Sequence, residues 1–323
     1  MAAQRPVTLS DIRDAAGRIA GCVTRTPLRL SPYLSEKHDH PVRLKLETMQ
    51  DTGAFKLRGA TNALLALSEG DRKKGVIAVS TGNHGRGVAY AAQQLGIACA
   101  VYMSALVPAV KVDAIRALGA EVVITGRSQD EAEAEAMARI EKDGLIYIHP
   151  FDDPAVIAGQ GTIGLEILED MPDAANVIVP LSGGGLFAGI ATAVKTMKPD
   201  TRMFGATMEN GAAMISSLNA GKPVPVEEVE SLADSLGGGI GLENAYTFDI
   251  TRKLIDGTLL LSEAEIAAAM RTLFLHDRIV AEGGASVGVG ALLSGRLDLK
   301  PGPTVIIVSG CNVDMQRFLE IVG

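Results

Sequence analysis

Lys56 lies in a short apolar, glycine-flanked run, Gly53-Ala54-Phe55-Lys56, at the expected start of a helix. A lysine deprived of water loses basicity and becomes an amine able to attack a carbonyl and form a Schiff base. Taken alone it reads as a surface lysine at a helix end, but its company changes that reading. Four glycine-punctuated loops, 52–60 (TGAFKLRGA), 80–87 (STGNHGRG), 182–189 (SGGGLFAG) and 309–314 (SGCNVD), stand where strands should end, which is where an open α/β sheet binds ligands. Ser182-Gly183-Gly184-Gly185-Leu186 follows the apolar run VIVP and opens a helix expected near Phe187. Its backbone N–H groups can converge on a phosphate without side chains in the way. With no lysine the loop is not a Walker loop, and Gly183, Gly185 and Ala188 match the dinucleotide fingerprint only weakly, with no acidic ribose ligand to complete it. An amine, a phosphate cradle, the Phe55 ring to cover a flat heterocycle and a strand-end hydroxyl at Ser309 are together the parts that pyridoxal phosphate requires.

Elements that could position these groups are legible as an alternation. Strands are expected near 75–79, 98–103, 120–125, 176–180, 202–207 and 304–308, with Ala-rich helical stretches between them. Continuous apolar runs such as VIVP and TVIIV read as parallel strands covered on both faces, so the expected fold is a doubly wound α/β sheet. The stretch 75–147 carries strand–helix units of its own and is expected to form a small domain, with 1–74 and 148–323 forming a large one. Ser10 and Ser262 read as helix caps. The net charge of −8, without a basic run, excludes an electrostatic nucleic-acid footprint. Cys22, Cys99 and Cys311 are too far apart to suggest a disulfide framework or a thiolate metal site, and no long apolar span or leader is visible, so a cytoplasmic protein is expected.

The chain resembles fold-type II pyridoxal-phosphate enzymes of the threonine dehydratase and serine racemase family, a fold similar to the tryptophan synthase β subunit, with two doubly wound open-sheet domains. Ala54-Phe55-Lys56-Leu57-Arg58-Gly59 matches the family's S-F-K-x-R-G, with alanine for serine, and implies that Lys56 is the Schiff-base lysine. Ser80-Thr81-Gly82-Asn83-His84 matches S-x-G-N-H. That match implies that Asn83 bonds the cofactor's ring hydroxyl and that the segment from Ser80 to His84 holds the substrate carboxylate. Gly183, Gly184, Gly185 and Leu186 would bind the phosphate, Ser309 of Ser309-Gly310-Cys311-Asn312 the pyridine nitrogen, and Glu282 would lie near the ring. GAFKLRGATNALLAL, STGNHGRGVAYAA, FDDPAVIAGQGTIGLEILEDMPD and ADSLGGGIGLEN are similar to the hydroxyectoine-utilisation dehydratases.

Elimination follows from the residues as well. Lys56, once released, is a base for the α-proton. A neutral Ser309 hydroxyl leaves the ring a weaker electron sink than a carboxylate partner would, which favours loss of a β-leaving group. The product is a 2-oxo acid with ammonia, and L-threonine or L-serine dehydration is the alternative within that chemistry. Serine racemase-type racemisation is the other alternative, and it needs a second acid/base on the opposite face. Thr81 stands at the position of the racemase-type serine and keeps a hydroxyl. A weakly bound cation is implied at Glu209 and Ala213, although Ile215 replaces an oxygen donor there. His38 and His40 are expected in a polar loop, and His149 and His276 to be structural or exposed. A homodimer acting on a small amino acid, without nucleic acid or membrane, completes the expectation.

Overall fold

The computed structural model describes residues 5–80, 82–105, 107, 109–126 and 129–323. Ten strands form two sheets: β1 (Leu28–Leu30), β2 (Val42–Leu46), β3 (Val76–Val79), β4 (Cys99–Met103), β5 (Glu121–Ile124), β6 (Ile146–Tyr147), β7 (Asn176–Pro180), β8 (Arg202–Met208), β9 (Gly257–Leu261) and β10 (Thr304–Val308). The larger sheet has the order β1-β2-β10-β7-β8-β9 and is parallel apart from the β1–β2 pair; the smaller, β5-β4-β3-β6, is wholly parallel. The six expected strands are present. β1, β2, β6 and β9 were not expected: two of them are only two or three residues long, and β2 carries the charged Arg43 and Lys45.

Both faces of the large sheet are covered by helices, which explains its uniform apolarity. Val177, Val179, Val305 and Ile307 pack on one side, where the helices Pro154–Asp170 and Gly185–Met197 lie. Ile178, Ile306 and Val308 face the other, against the helix Gly283–Leu293. The small sheet lies within 76–147, but its cover comes partly from outside: Ala60, Ala63 and Leu64 of the helix Lys56–Ala66 pack with Val76, Ala78 and Val88. Helices 56–66 and 154–170 touch backbone to backbone, because a β carbon on Gly159 would lie 2.7 Å from both the Arg58 carbonyl oxygen and the Gly59 Cα. Only glycine permits that approach.

Two local expectations need correction. The first helix, Leu9–Ile19, is capped by Thr8 and not by Ser10: the Thr8 hydroxyl accepts from Asp11 N–H, and the Asp11 carboxylate accepts from Thr8 N–H. This box satisfies two donors at once, where Ser10 could satisfy one. His38 ends a helix, Pro32–His38, so it is not a loop residue. Ser262 caps its helix through a box with Glu265, as expected in position. Among the described residues no helix is long and apolar enough to cross a membrane.

Strand order places the chemistry. In the large sheet the chain runs from β7 outward through β8 to β9 and returns as β10 on β7's other side; in the small sheet it runs from β3 to β4 and β5 and returns as β6 on β3's other side. Each reversal is a switch point, where loops at the strand C-termini part and leave a crevice. The described loop residues there are 181–185 and 309–312 in one sheet and 80, 82–83 and 148–152 in the other.

Candidate active site

Lys56 opens its helix beside these crevices, held by a short pairing with the loop after β10. Phe55 N–H donates to the Ser309 carbonyl (3.0 Å), Cys311 N–H to the Gly53 carbonyl (2.9 Å), and Ala54 bridges Gly310. The Lys56 ammonium donates to the Pro150 carbonyl at 2.5 Å, from the loop after β6, and lies 5.4 Å from the Phe55 ring centroid. Loss of water lowers its pKa to about 8. About a tenth of the amine is then unprotonated at neutrality, hundreds of times the share of an ordinary lysine, which makes it available as a nucleophile or base.

The loop after β7 tolerates only glycine where it bends. Gly184 has φ +89°, and a β carbon on it would lie 2.7 Å from Met214 Cε, while one on Gly183 would lie 2.4 Å from the Phe151 ring. The helix begins at Gly185, two residues before the expected Phe187. Among the described residues no acceptor engages the N–H groups of Gly183, Gly184, Gly185 and Leu186. Unpaired donors at a helix N-terminus are an anion site. Ser309 is 4% exposed, and its hydroxyl makes no hydrogen bond with another described residue. These free donors, a desolvated amine and a free hydroxyl fit a phosphorylated pyridine aldehyde.

Asn83, the first residue of the helix Asn83–Leu95, donates through Nδ2 to Glu282 (2.9 and 3.2 Å) and accepts at Oδ1 from Asn312 Nδ2 (2.6 Å). Glu282 is 5% exposed, and burial pushes its carboxyl up to about 7. His84 is buried, with Nε2 bonded to the Ile148 carbonyl (2.8 Å). Burial, with Lys56 nearby, lowers its pKa to about 3, so the ring is neutral. Ser80 precedes it, its hydroxyl accepting from Gly82 N–H at 3.2 Å. Thr81 lies outside the described residues. Leu186 is buried beneath the glycine loop. Glu209 is exposed at the end of β8 and Ala213 starts a helix, while the Ile215 side chain packs in the core. The helix that begins at Ala213 borders the glycine loop: Met214 Cε would lie 2.7 Å from a β carbon on Gly184, and Ala213 and Ile215 share a buried cluster with Leu186, against which Phe55 packs. His149 is structural: its Nδ1 accepts from Phe151 and Asp152 N–H and orders the loop carrying Pro150.

Pro150, Phe151, Thr52, Arg86 and Asn312 reach the site without having been assigned a role from sequence. Arg86 and Asn312 stood inside noted motifs, and Arg86 is three residues after Asn83, on the same face of the helix. Thr52 opens the noted loop 52–60 and Phe151 opens one of the noted stretches, whereas Pro150 carries no local signal.

The site is thus built for a phosphorylated carbonyl cofactor, held at sheet switch points and facing a lysine. Residues 19–310 match the model of the pyridoxal-phosphate-dependent enzyme family. The chain belongs to that family, and its fold is the fold-type II arrangement of two doubly wound units. It is 52% identical over 317 residues to a Sinorhizobium fredii protein provisionally named threonine dehydratase, covering 98% of this chain and 96% of that one. It is 42% identical over 320 residues to the catabolic L-threonine dehydratase of Escherichia coli K12, covering 98% and 97%. The structure of maize serine racemase superposes with a TM-score of 0.92 at 32% identity, covering 98% and 97%.

Proposed function

We propose that this chain removes water from a β-hydroxy α-amino acid and yields a 2-oxo acid and ammonia, and that it does so in hydroxyectoine catabolism. The carrying observation is the desolvated Lys56 amine, set between the glycine loop and a hydroxyl, not a carboxylate, at Ser309. The dehydratase names of the relatives support the coarser part, L-threonine or L-serine dehydration. The four stretches similar to hydroxyectoine-utilisation dehydratases support the finer part.

The N–H groups of Gly183 to Leu186 hold the phosphate, Ser309 the pyridine nitrogen, Asn83 the ring hydroxyl and Lys56 the carbonyl carbon. Bound pyridoxal phosphate supplies a ring that delocalises the charge left on the α-carbon when its proton is removed. The Ser80–His84 segment orients the substrate carboxylate with backbone donors. Lys56 Nζ takes the α-proton, and its lowered basicity lets it do so near neutrality. Hydroxide leaves from Cβ with a proton as water, and hydrolysis of the resulting imine returns that water and frees ammonia, so the substrate's atoms equal those of 2-oxo acid plus ammonia. The division into a small domain, 75–147, and a large one, 1–74 with 148–323, is part of this reading, as are the homodimer and the weak cation at Glu209 and Ala213.

The test offers serine, threonine, 3-hydroxyaspartate and 3-hydroxy-2,4-diaminobutyrate isomers and measures 2-oxo acid and ammonia. We expect release, fastest from a 3-hydroxy-2,4-diaminobutyrate isomer. Threonine preferred over every diamino acid would overturn the hydroxyectoine assignment and leave dehydration standing; no release from any substrate would overturn both.

A further inference from the structure

Four side chains form a directed chain of hydrogen bonds along the site. Arg86 Nη1 donates to Asn312 Oδ1 (2.7 Å), Asn312 Nδ2 donates to Asn83 Oδ1 (2.6 Å), and Asn83 Nδ2 donates to both oxygens of Glu282 (2.9 and 3.2 Å). Every bond points the same way, from a cation to a carboxyl group. Hydrogen bonds aligned in series polarise one another.

The orientation of a side-chain amide is decided by its partners, because its oxygen and nitrogen ends are alike in shape. Guanidinium has no acceptor, so Arg86 can meet Asn312 only at its oxygen. The nitrogen of Asn312 is held as well by the Thr52 carbonyl at 2.9 Å. Asn312 therefore offers N–H to Asn83, which must turn its oxygen toward Asn312 and its nitrogen toward Glu282. One hydrogen on Asn83 Nδ2 is used by Glu282, and the second remains for a ligand.

We propose that Arg86 is a positioning residue which, through Asn312, fixes the Asn83 amide with its N–H toward Glu282 and the cofactor's ring hydroxyl, and so favours the ionised form of that hydroxyl. The inference rests on the cofactor and is independent of the substrate. The groups facing Glu282 set the rest of the balance. Asn83 comes from its helix start, Ser235 and Asp234 from the turn 234–236, and the Asn312 N–H and the Cys311 thiol from the loop after β10. Asp234 opposes ionisation of Glu282, while Ser235, Asn83 and the Asn312 N–H favour it. Removal of the guanidinium leaves the Thr52 carbonyl as the one remaining hold on the Asn312 amide, which weakens the donor that ends on Glu282 and loosens the orientation of Asn83.

The experiment reconstitutes wild type, Arg86→Met, Arg86→Lys and Asn312→Leu with pyridoxal phosphate, and records the absorption spectrum of the bound cofactor across neutral pH. In Arg86→Met the titration between the neutral and ionised hydroxyl forms should move upward by about one pH unit, a tenfold change in their ratio at fixed pH. Asn312→Leu should reproduce that shift, the double variant should add nothing to it, and Arg86→Lys, still a cationic donor, should restore part of it. A spectrum of Arg86→Met that superposes on wild type at every pH would overturn the proposal, and so would additive shifts in the double variant. If Arg86→Met does not fold, Arg86→Lys and Asn312→Leu spectra that both superpose on wild type at every pH have the same meaning. Failure of wild type to form a borohydride-sensitive chromophore would overturn the cofactor assignment beneath it, a result distinct from either.

Discussion

Arg58, two residues after Lys56, offers the sharpest test of how the lysine's helix is anchored. Its fork meets Glu47 through Nε (2.8 Å) and Nη2 (2.9 Å), and Glu166 through Nη1 (2.6 Å) and Nη2 (2.9 Å). Lys45, also bonded to Glu166, adds a second cation, so two positive and two negative groups lie together, and the Arg58, Lys45 and Glu47 side chains are 0% exposed. Arg58→Met fills much of the volume but leaves Glu47 buried with hydrogen bonds from Thr26 and Gln50 alone, and with the Lys45 charge, bonded to Glu166, as its remaining nearby cation. Breaking such a pair from one side costs about 3–5 kcal/mol. With an unfolding entropy of roughly 2.1 cal/mol/K per residue, the 323-residue chain should lose about 4–7 °C in Tm at neutral pH. The pH dependence gives the signature. In wild type, Arg58 holds Glu47 below its ordinary value of 4.5, so its stabilisation is complete above that value and is lost as pH falls through the lower, folded one. In Arg58→Met, burial without the guanidinium and its two hydrogen bonds raises Glu47 against the weaker pull of Lys45, so its penalty is present above the raised value and fades as pH falls through it. Differential scanning calorimetry from neutral to mildly acidic pH should therefore show the gap between the proteins narrowing. A loss below about 1 kcal/mol, or a gap unchanged with pH, would refute the account of this network.

Lys56→Ala should abolish turnover with every candidate substrate and leave far-UV circular dichroism unchanged; retained turnover would remove Lys56 from the mechanism. Because the amine has a pKa of about 8, the rate at which apoprotein takes up pyridoxal phosphate should rise with pH to a plateau above that value, as stopped-flow absorbance would show. Gly184→Leu should weaken cofactor binding by at least about tenfold, since a side chain at φ +89° costs about 1–2 kcal/mol and would strike Met214 and Thr247; equilibrium dialysis checks it. Ser309→Asp should slow elimination relative to α-proton exchange by favouring a protonated ring nitrogen, whereas Ser309→Ala should mainly loosen cofactor binding. If both substitutions change elimination and deuterium exchange in the same proportion, Ser309 is only a positioning residue.

Much of the site was legible because its chemistry is local. Gly183 to Leu186, Lys56 after Phe55, and Asn83 next to His84 are runs whose residue types already limit what the backbone can approach, and they follow strands whose apolarity declares them buried. Strand type was legible for the same reason: β7 and β10 bury both faces, so every position after the hydrogen-bonded Asn176 and Thr304 at their starts is apolar, whereas β2 hides Lys45 by pairing it with Glu166, and its charge masks the strand. What only the tertiary structure decided is which distant groups meet. Pro150 lies 94 residues from Lys56 in sequence, Glu282 lies 199 from Asn83, and Asn312 lies 226 from Arg86. They meet because two sheets each reverse strand order and bring the ends of non-consecutive strands to one crevice. Sheet order depends on the packing of all the helices at once, and no local run of residues encodes it. The same holds for the lowered basicity of Lys56 and the raised pKa of Glu282: residue type sets the ordinary value, and burial, a property of the whole fold, moves it.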